Sequence, residues 1–449
     1  MALFHTLGIQ LLRYAVCLSI VYFSGIPAQA AGSNVLLLIA DDFGIDVASF
    51  YPLGPRRQTT PPPPPMPNLV TLARQGVTFT RVWASPWCSP TRAQMLTGRH
   101  NFRTGIGRAN TSDMPPLSMS EVILPEVFAA ALGSAYLTAN LGKWHLSSGE
   151  HDPNEHGWQH YAGGHPDLGH LPSYFTWPKT IDGLTSTSTT YATTDTVDET
   201  LAVIERARTE GKHFLIWTAF NAPHDPFHAP PAALHPTTPL PPSGATNRAK
   251  FAAMVEAMDT EIGRLLAAVS LTDTTVIFIG DNGTAGNVIA RPYSPTKAKA
   301  SMYEGGVRVP LIVAGAGVVS PSRKVTALVS AVDLFPTILA LVGIDPAQAP
   351  RNDGISLTPY LGRQAHPSPR TWLYSEQFTK SFDTSWQRAA RDSRYKLIER
   401  YDGTREFYDL SMDAFETRNL LESSLTSGQR SALDRLNRRI DALLATRGT

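Results

Sequence analysis

Cysteine is nearly absent from this chain: two residues in 449, Cys17 and Cys88. A dense disulfide framework is therefore excluded. An excess of one charge is missing as well. With 39 Lys+Arg against 38 Asp+Glu, no bulk field draws nucleic acid or an anionic membrane surface. Any anion must be held by a few placed charges. Charged residues reach only 17% while hydrophobic residues make up 42%, which excludes a disordered chain. No internal repeat is visible, and past the N-terminus no apolar run is long enough to cross a bilayer.

The first thirty residues hold one basic residue, Arg13, and no acid. An apolar run from Tyr14 to Tyr22 follows, then Ser24, Gly25 and Pro27, and Ala28-Gln29-Ala30 fits a small-x-small cleavage site. Residues 1–30 therefore read as a signal peptide of an exported protein, periplasmic or secreted. The competing reading is an uncleaved anchor, against which the run is short. Cleavage leaves Cys88 as the sole cysteine. No internal disulfide is then possible, and the leftover thiol is either a buried inert group or a chemical one.

The remaining length suits a large α/β domain plus a smaller one. Val35–Ala40, Phe214–Phe220 and Val276–Gly280 read as buried parallel strands, with Ala135–Thr138 and Leu311–Val313 as further candidates. Helical spacing marks 68–75, 196–208 and 252–270. Strands alternating with helices predict a large, mixed, mostly parallel sheet covered on both faces. After about residue 360 the pattern changes. Trp372–Phe378, Ala389–Tyr401 and Glu406–Leu410 read as antiparallel strands, and 427–445 as an amphipathic helix. The expected division is 1–30 signal peptide, 31–360 catalytic domain and 361–449 C-terminal α+β subdomain.

Polar residues fall where the strands end. Val35–Ala40 runs into Asp41-Asp42, and Val276–Gly280 into Asp281-Asn282. Phe214–Phe220 leads to His224, and Ala135–Thr138 to Lys143 and His145. Ligands of open α/β sheets bind beyond the carboxyl ends of strands. Three converging carboxylates repel unless a cation lies among them. Oxygen donors suit Ca²⁺ or Mg²⁺ rather than Zn²⁺. Each pair alone could merely cap a turn. In Trp87–Arg99, Ser89-Pro90 reads as a helix start and Gly98 as its end. That puts Cys88 at a helix N-terminus with Arg92 four residues on, an arrangement suited to anions.

Here the residues match a family. Cys88-Ser-Pro-Thr-Arg92 followed by Leu96-Thr-Gly-Arg99 resembles the sulfatase signature, whose Cys is oxidised to Cα-formylglycine. The resemblance runs on through 38–44, 67–69, 142–145, 222–224, 280–283, 299–310 and 407–410, in the family's order. It implies the alkaline-phosphatase-like fold and hydrolysis of aryl or carbohydrate sulfate esters. It implies that Asp41, Asp42, Asp281 and Asn282, completed by residue 88, hold one divalent metal, Ca²⁺ in preference to Mg²⁺. Arg92, Lys143 and Lys299 would neutralise the sulfuryl group. His224 and Lys299 would protonate the leaving oxygen, and His145 would take the proton that lets sulfate depart. A formylglycine-generating enzyme is an implied partner during maturation. No nucleic acid and no membrane span after cleavage are expected.

Two other readings compete: a phosphonate monoester or phosphodiester hydrolase on the same scaffold, and a non-catalytic binder of sulfated glycans. Taken singly, His145 or His224 could be structural, Lys299 and Lys297 surface residues, Arg99 a structural pair, and Gly305-Gly306 a tight turn. Residues 151–190 match no motif. Their His151, His156, His160, His165 and His170 leave open a second metal site, a substrate-facing loop or a plain surface loop.

Overall fold

A computed structural model of the chain describes residues 33–447, apart from 52–58, 110–113, 148, 150–151, 165–170, 363–367 and 380–384. The candidate signal peptide, 1–30, lies outside the described residues. Among those described, no helix is long and apolar enough to cross a membrane.

Ten strands form one sheet: β1 Asn34–Ala40, β2 Gly76–Trp83, β3 Tyr136–Gly142, β4 His160–Gly164, β5 Trp177–Ile181, β6 Leu184–Ser188, β7 His213–Ala219, β8 Thr274–Gly280, β9 Arg308–Gly315 and β10 Arg323–Ser330. Their order is β10-β2-β9-β8-β1-β7-β3-β4-β5-β6. The centre is parallel, with Leu37 beside Trp217 on β7 and Ile277 on β8. β1 is apolar on both faces because both are covered. Its Leu36 and Leu38 join a core with Val197, Met254 and Ile262, from helices Ala192–Thr209 and Asn247–Ala268. Its Leu37 and Ile39 join another with Phe128, Phe335 and Ile338, from helices Leu124–Leu132 and Leu334–Leu341.

Three expectations need correction. The run around Leu311 forms β9, which is antiparallel to both β8 and β2. The segment after β8 turns back along the same sheet edge instead of crossing over, so β9 starts where β8 stopped. That return path, 281–307, carries Asp281, Asn282 and Lys299 along the edge. Second, the stretch without a motif is not a plain loop: β4, β5 and β6 extend the sheet. Third, Ala389–Tyr401 holds two strands rather than one.

A second sheet is antiparallel throughout, in the order β11 Leu373–Gln377, β12 Gln387–Arg391, β13 Tyr395–Arg400, β14 Arg405–Asp409. Helix Ser427–Leu444 packs Ala432, Leu436 and Ile440 against Tyr374, Leu397 and Phe407. The architecture is thus α/β, a large mixed and mostly parallel sheet between helices, plus a small antiparallel sheet with a terminal helix.

The two sheets are joined by buried charges. Glu304 lies 3.2 Å from Arg391 Nη1 and 3.4 Å from Lys396 Nζ, and accepts from Trp83 Nε1 at 2.9 Å. Lys396, fully buried, also pairs with Glu416 at 2.7 Å. Burial pushes the Glu304 carboxyl up, but Arg391, Lys396 and Arg308 outweigh it and hold it below its ordinary range. Removing one partner would leave an uncompensated buried charge.

A second buried carboxyl in β11, Glu376, accepts from Phe102 N–H at 2.7 Å and Tyr374 Oη at 2.8 Å. Burial dominates these bonds and pushes it up to about 7. A group raised on folding contributes stability that is complete below its unfolded pKa, near 4.5, and lost as pH climbs through about 7. The ionisation penalty above that window is on the order of 3 kcal/mol. Glu376→Gln is expected to narrow the difference in melting temperature between pH 5 and pH 8. An unchanged difference would show that Glu376 does not titrate there.

Candidate active site

The carboxyl edge of the central strands is stitched together by backbone hydrogen bonds beyond the strand ends. Asp41 N–H donates to Ala222 O at 3.1 Å, Asp281 N–H to Ala40 O at 3.0 Å, and Lys143 N–H to Ala219 O at 2.8 Å. Three loops that are distant in sequence thereby become one floor. Close approach sets the residue type at Gly142: its φ is +89°, and a Cβ there would stand 2.1 Å from Ala219 O. Asp42 and His145 adopt φ values of 60° and 58°. Such left-handed conformations cost about 1–3 kcal/mol each for residues with a Cβ, and they concentrate at functional sites.

Cys88 opens helix Cys88–Thr97, which ends on Gly98 in the left-handed conformation, as its sequence predicts. Every residue of that helix is buried. Cys88 is 2% exposed, and its Sγ lies 3.2 Å from His145 Nδ1. One turn on, Arg92 Nη2 bonds Asp281 Oδ2 at 2.9 Å and lies 3.8 Å from Asp41 Oδ2, while Nη1 donates to Lys143 O at 2.7 Å. Lys143 Nζ pairs with Asp41. Lys299 Nζ pairs with Asp42 Oδ1 at 2.5 Å, and His224 Nε2 lies 3.8 Å from Asp42 Oδ2. Asn282 Nδ2 donates to Asp42 Oδ1 at 2.8 Å. All ten residues named from the sequence for this site are therefore neighbours.

The charges do not balance comfortably. Burial pushes Asp41 up, but Lys143, His224, Arg92 and Lys299 outweigh it and hold it below the carboxylate range. Asp281 moves the other way, raised by burial and by the nearby Asp41 charge. Burial would lower His224 and Lys299, yet Asp42 leaves both raised. Asp41 Oδ1 and Asn282 Oδ1 are buried acceptors without a hydrogen-bond partner among the described residues. One ligand atom each of Asp41, Cys88 and Asp281 lies within 4.8 Å of the others, and the same holds for Asp41, Asp42 and His224. Carboxylates and orphaned oxygen acceptors converging on one point fit a hard divalent cation. A cation there would satisfy the acceptors and relieve the repulsion that raises Asp281.

Arg99 pairs with Glu121 at 3.5 Å, a structural role. Lys297 is not a free surface residue: it is half-buried, donates to Glu416 O and lies 4.5 Å from the Tyr303 ring centroid. Gly305-Gly306 lie in a single tight helical turn, Glu304–Val307, with Gly306 N–H donating to Tyr303 O at 2.8 Å. A Cβ on Gly306 would stand 2.2 Å from Ser301 O, so the pair is small to let the 297–307 segment coil on itself. Among the described residues no second metal cluster forms: His160 pairs with Asp182 at 2.9 Å, and the His156 ring lies 5.7 Å from Trp144. His151, His165 and His170 lie outside the described residues.

Sequence reasoning missed two supports. Tyr174 Oη donates to Asn221 O at 2.6 Å and lies 2.9 Å from His224 O, holding the turn that presents His224. Gln377 bonds both Trp87 and Ala300, the neighbours of Cys88 and Lys299. Neither carries a local signal, because each acts on a residue far away in sequence.

Comparison with known proteins follows the same lines. The family profile described as Sulfatase matches residues 33–344, and that of N-sulphoglucosamine sulphohydrolase, C-terminal, matches 297–443. Arylsulfatase A of Bos taurus is 30% identical over 397 residues, covering 78% of this chain and 71% of the relative. N-acetylgalactosamine-6-sulfatase of Sus scrofa is 28% identical over 374 residues, covering 75% and 67%. The fold is shared with BT4656, solved in complex with its substrate D-glucosamine-2-N,6-O-disulfate. The TM-score is 0.72 at 19% identity, over 91% of this chain and 97% of that one. A profile spanning most of the chain, on a fold that gathers the signature cysteine with an acidic cluster, makes this chain a member of the sulfatase family, whose enzymes hydrolyse sulfate esters.

Proposed function

We propose that the protein releases inorganic sulfate from aryl or carbohydrate sulfate esters at this cluster, using a formylglycine made from Cys88 and one divalent cation, Ca²⁺ in preference to Mg²⁺. The observation that carries this reading is that Cys88 Sγ lies within 4.8 Å of ligand atoms of both Asp41 and Asp281. Asp41, Asp42, Asp281 and Asn282 would hold the cation together with residue 88. The cation would supply positive charge against the sulfuryl oxygens. An aldehyde hydrate at position 88 supplies one hydroxyl to accept the sulfuryl group and a second to expel it.

The chain's own residues do the rest. Arg92, Lys143 and Lys299 ring the anion position with charge fixed before substrate arrives, which is where electrostatic stabilisation is strongest. His224 Nδ1 is 2.9 Å from Asp225 O, leaving Nε2 turned toward the cluster. Protonated through Asp42, that nitrogen donates to the leaving oxygen, with Lys299 beside it. His145 Nδ1, 3.2 Å from the position-88 side-chain atom, takes the proton whose loss frees sulfate. Export by residues 1–30 and maturation by a formylglycine-generating enzyme belong to the same reading.

The test is substrate choice by protein co-expressed with a maturing enzyme. It is expected to turn over p-nitrophenyl sulfate with a higher kcat/KM than bis(p-nitrophenyl) phosphate. A preference for the phosphate diester would replace this reading with the phosphodiesterase one.

A further inference from the structure

One place where the small sheet meets the active site is the end of β11. β11 ends on Gln377, whose Oε1 accepts from Trp87 Nε1 at 2.5 Å and whose Nε2 donates to Ala300 O at 3.1 Å. Beside these two joints lies a cavity of ≈ 330 Å³, with Trp87, Arg108, Gln377, Ser385 and Gln387 among its walls. That volume is within the range of small-ligand sites. Arg108 is the one charged residue among the described walls, and no carboxylate among the described residues pairs with it.

The Arg108 guanidinium lies over the Trp87 ring, with Cζ 4.6 Å from its centroid. Stacking holds its planar fork in one orientation while leaving its N–H groups free, which suits bidentate binding of a carboxylate or sulfate. Lys299 Nζ is 6.0 Å from the same centroid. The same indole is thus in contact range of the cation at the reaction centre and of a second cation in the cavity. One saccharide could place its scissile ester at the first and another oxyanion at the second. The polar side chains in the cavity walls, Ser385 and Gln387 among them, suit the hydroxyls of a sugar ring.

We propose that this cavity receives the leaving-group saccharide and that Arg108 binds a second oxyanion on it, so that the preferred substrates are acidic saccharide sulfates. The proposal rests on the sulfate-ester reading above and deepens it. No part of it depends on how residue 88 is modified.

The test uses the full-length matured protein and reads competitive inhibition of p-nitrophenyl sulfate turnover. The probes are an unsulfated hyaluronan tetrasaccharide (carboxylates only), D-glucosamine-2-N,6-O-disulfate (sulfates only) and neutral chitobiose. At least one acidic probe is expected to inhibit about tenfold more tightly than chitobiose. The two acidic arms tell which oxyanion is bound. Arg108→Ala should weaken that inhibition about tenfold more than it alters kcat/KM for p-nitrophenyl sulfate, and Arg108→Lys should recover part of it. Acidic and neutral probes acting alike would overturn the proposal, as would inhibition that Arg108→Ala leaves unchanged. Should the wild-type protein fail to hydrolyse p-nitrophenyl sulfate, the catalytic reading fails. Calorimetric titration with the same probes and variants then decides the cavity on its own.

Discussion

Cys88→Ala is expected to lower kcat for p-nitrophenyl sulfate by about 10⁴-fold or more, a loss typical of removing a covalent nucleophile. The substitution is mild in every other respect. Position 88 begins a helix that Ala favours, and its side chain makes its one described polar contact with His145. Arg92 would still bridge to Asp281, and Lys143 to Asp41. The variant should therefore keep its fold, with a melting temperature within a few degrees of the parent. Mass spectrometry of the peptide containing residue 88 supplies the partner measurement. A mature parent is expected to be about 18 Da lighter there than its cysteine form, as SH and H give way to a carbonyl oxygen. Full activity in the alanine variant would remove the nucleophile from the mechanism.

The second large effect concerns the cation. Chelation is expected to reduce activity below about 1% of the starting rate, with Ca²⁺ restoring it. The same addition should raise the melting temperature, since a ligand at 100 times its Kd contributes about 2.7 kcal/mol to the folded state. Asp41 Oδ1 and Asn282 Oδ1, buried without partners among the described residues, are where that stabilisation originates. Asp41→Asn removes one negative charge from the donor set. It should weaken Ca²⁺ binding at least about tenfold, because charge count tunes such sites. Calorimetric titration of the chelated protein reads this directly. Activity that persists in excess chelator would reduce the cluster to an internal ion network of Arg92, Lys143, Lys299 and their acids.

Much of this site was legible because chemistry in a parallel sheet gathers at one edge. Asp41-Asp42 and Asp281-Asn282 stand directly after buried apolar runs, so their convergence follows from topology. The family resemblance then connected Cys88 and Lys299 to them. What escaped reading lacked any local pattern. β6, Leu184–Ser188, is four-fifths exposed with no buried face, and it is a strand only through pairing with β5. β10, Arg323–Ser330, alternates half-buried and exposed residues over its first five positions and is buried only at Leu328, Val329 and Ser330. The direction of β9 was hidden because an apolar run records burial, not heading. Lys396 and Glu416 look like surface residues in sequence. Their burial depends on Glu304, 92 and 112 positions earlier in the chain.

That last dependence has a consequence for biosynthesis. Ribosomes deliver Glu304 well before Arg391 and Lys396, so a nascent chain that has not reached residue 391 can offer this acid only Arg308 of its three cationic neighbours. The segment bearing Lys299 gains its contacts with Arg391 and Lys396 only once the C-terminal strands have been made. Residues supplied last in the chain thus complete the charge network beneath the segment that carries Lys299.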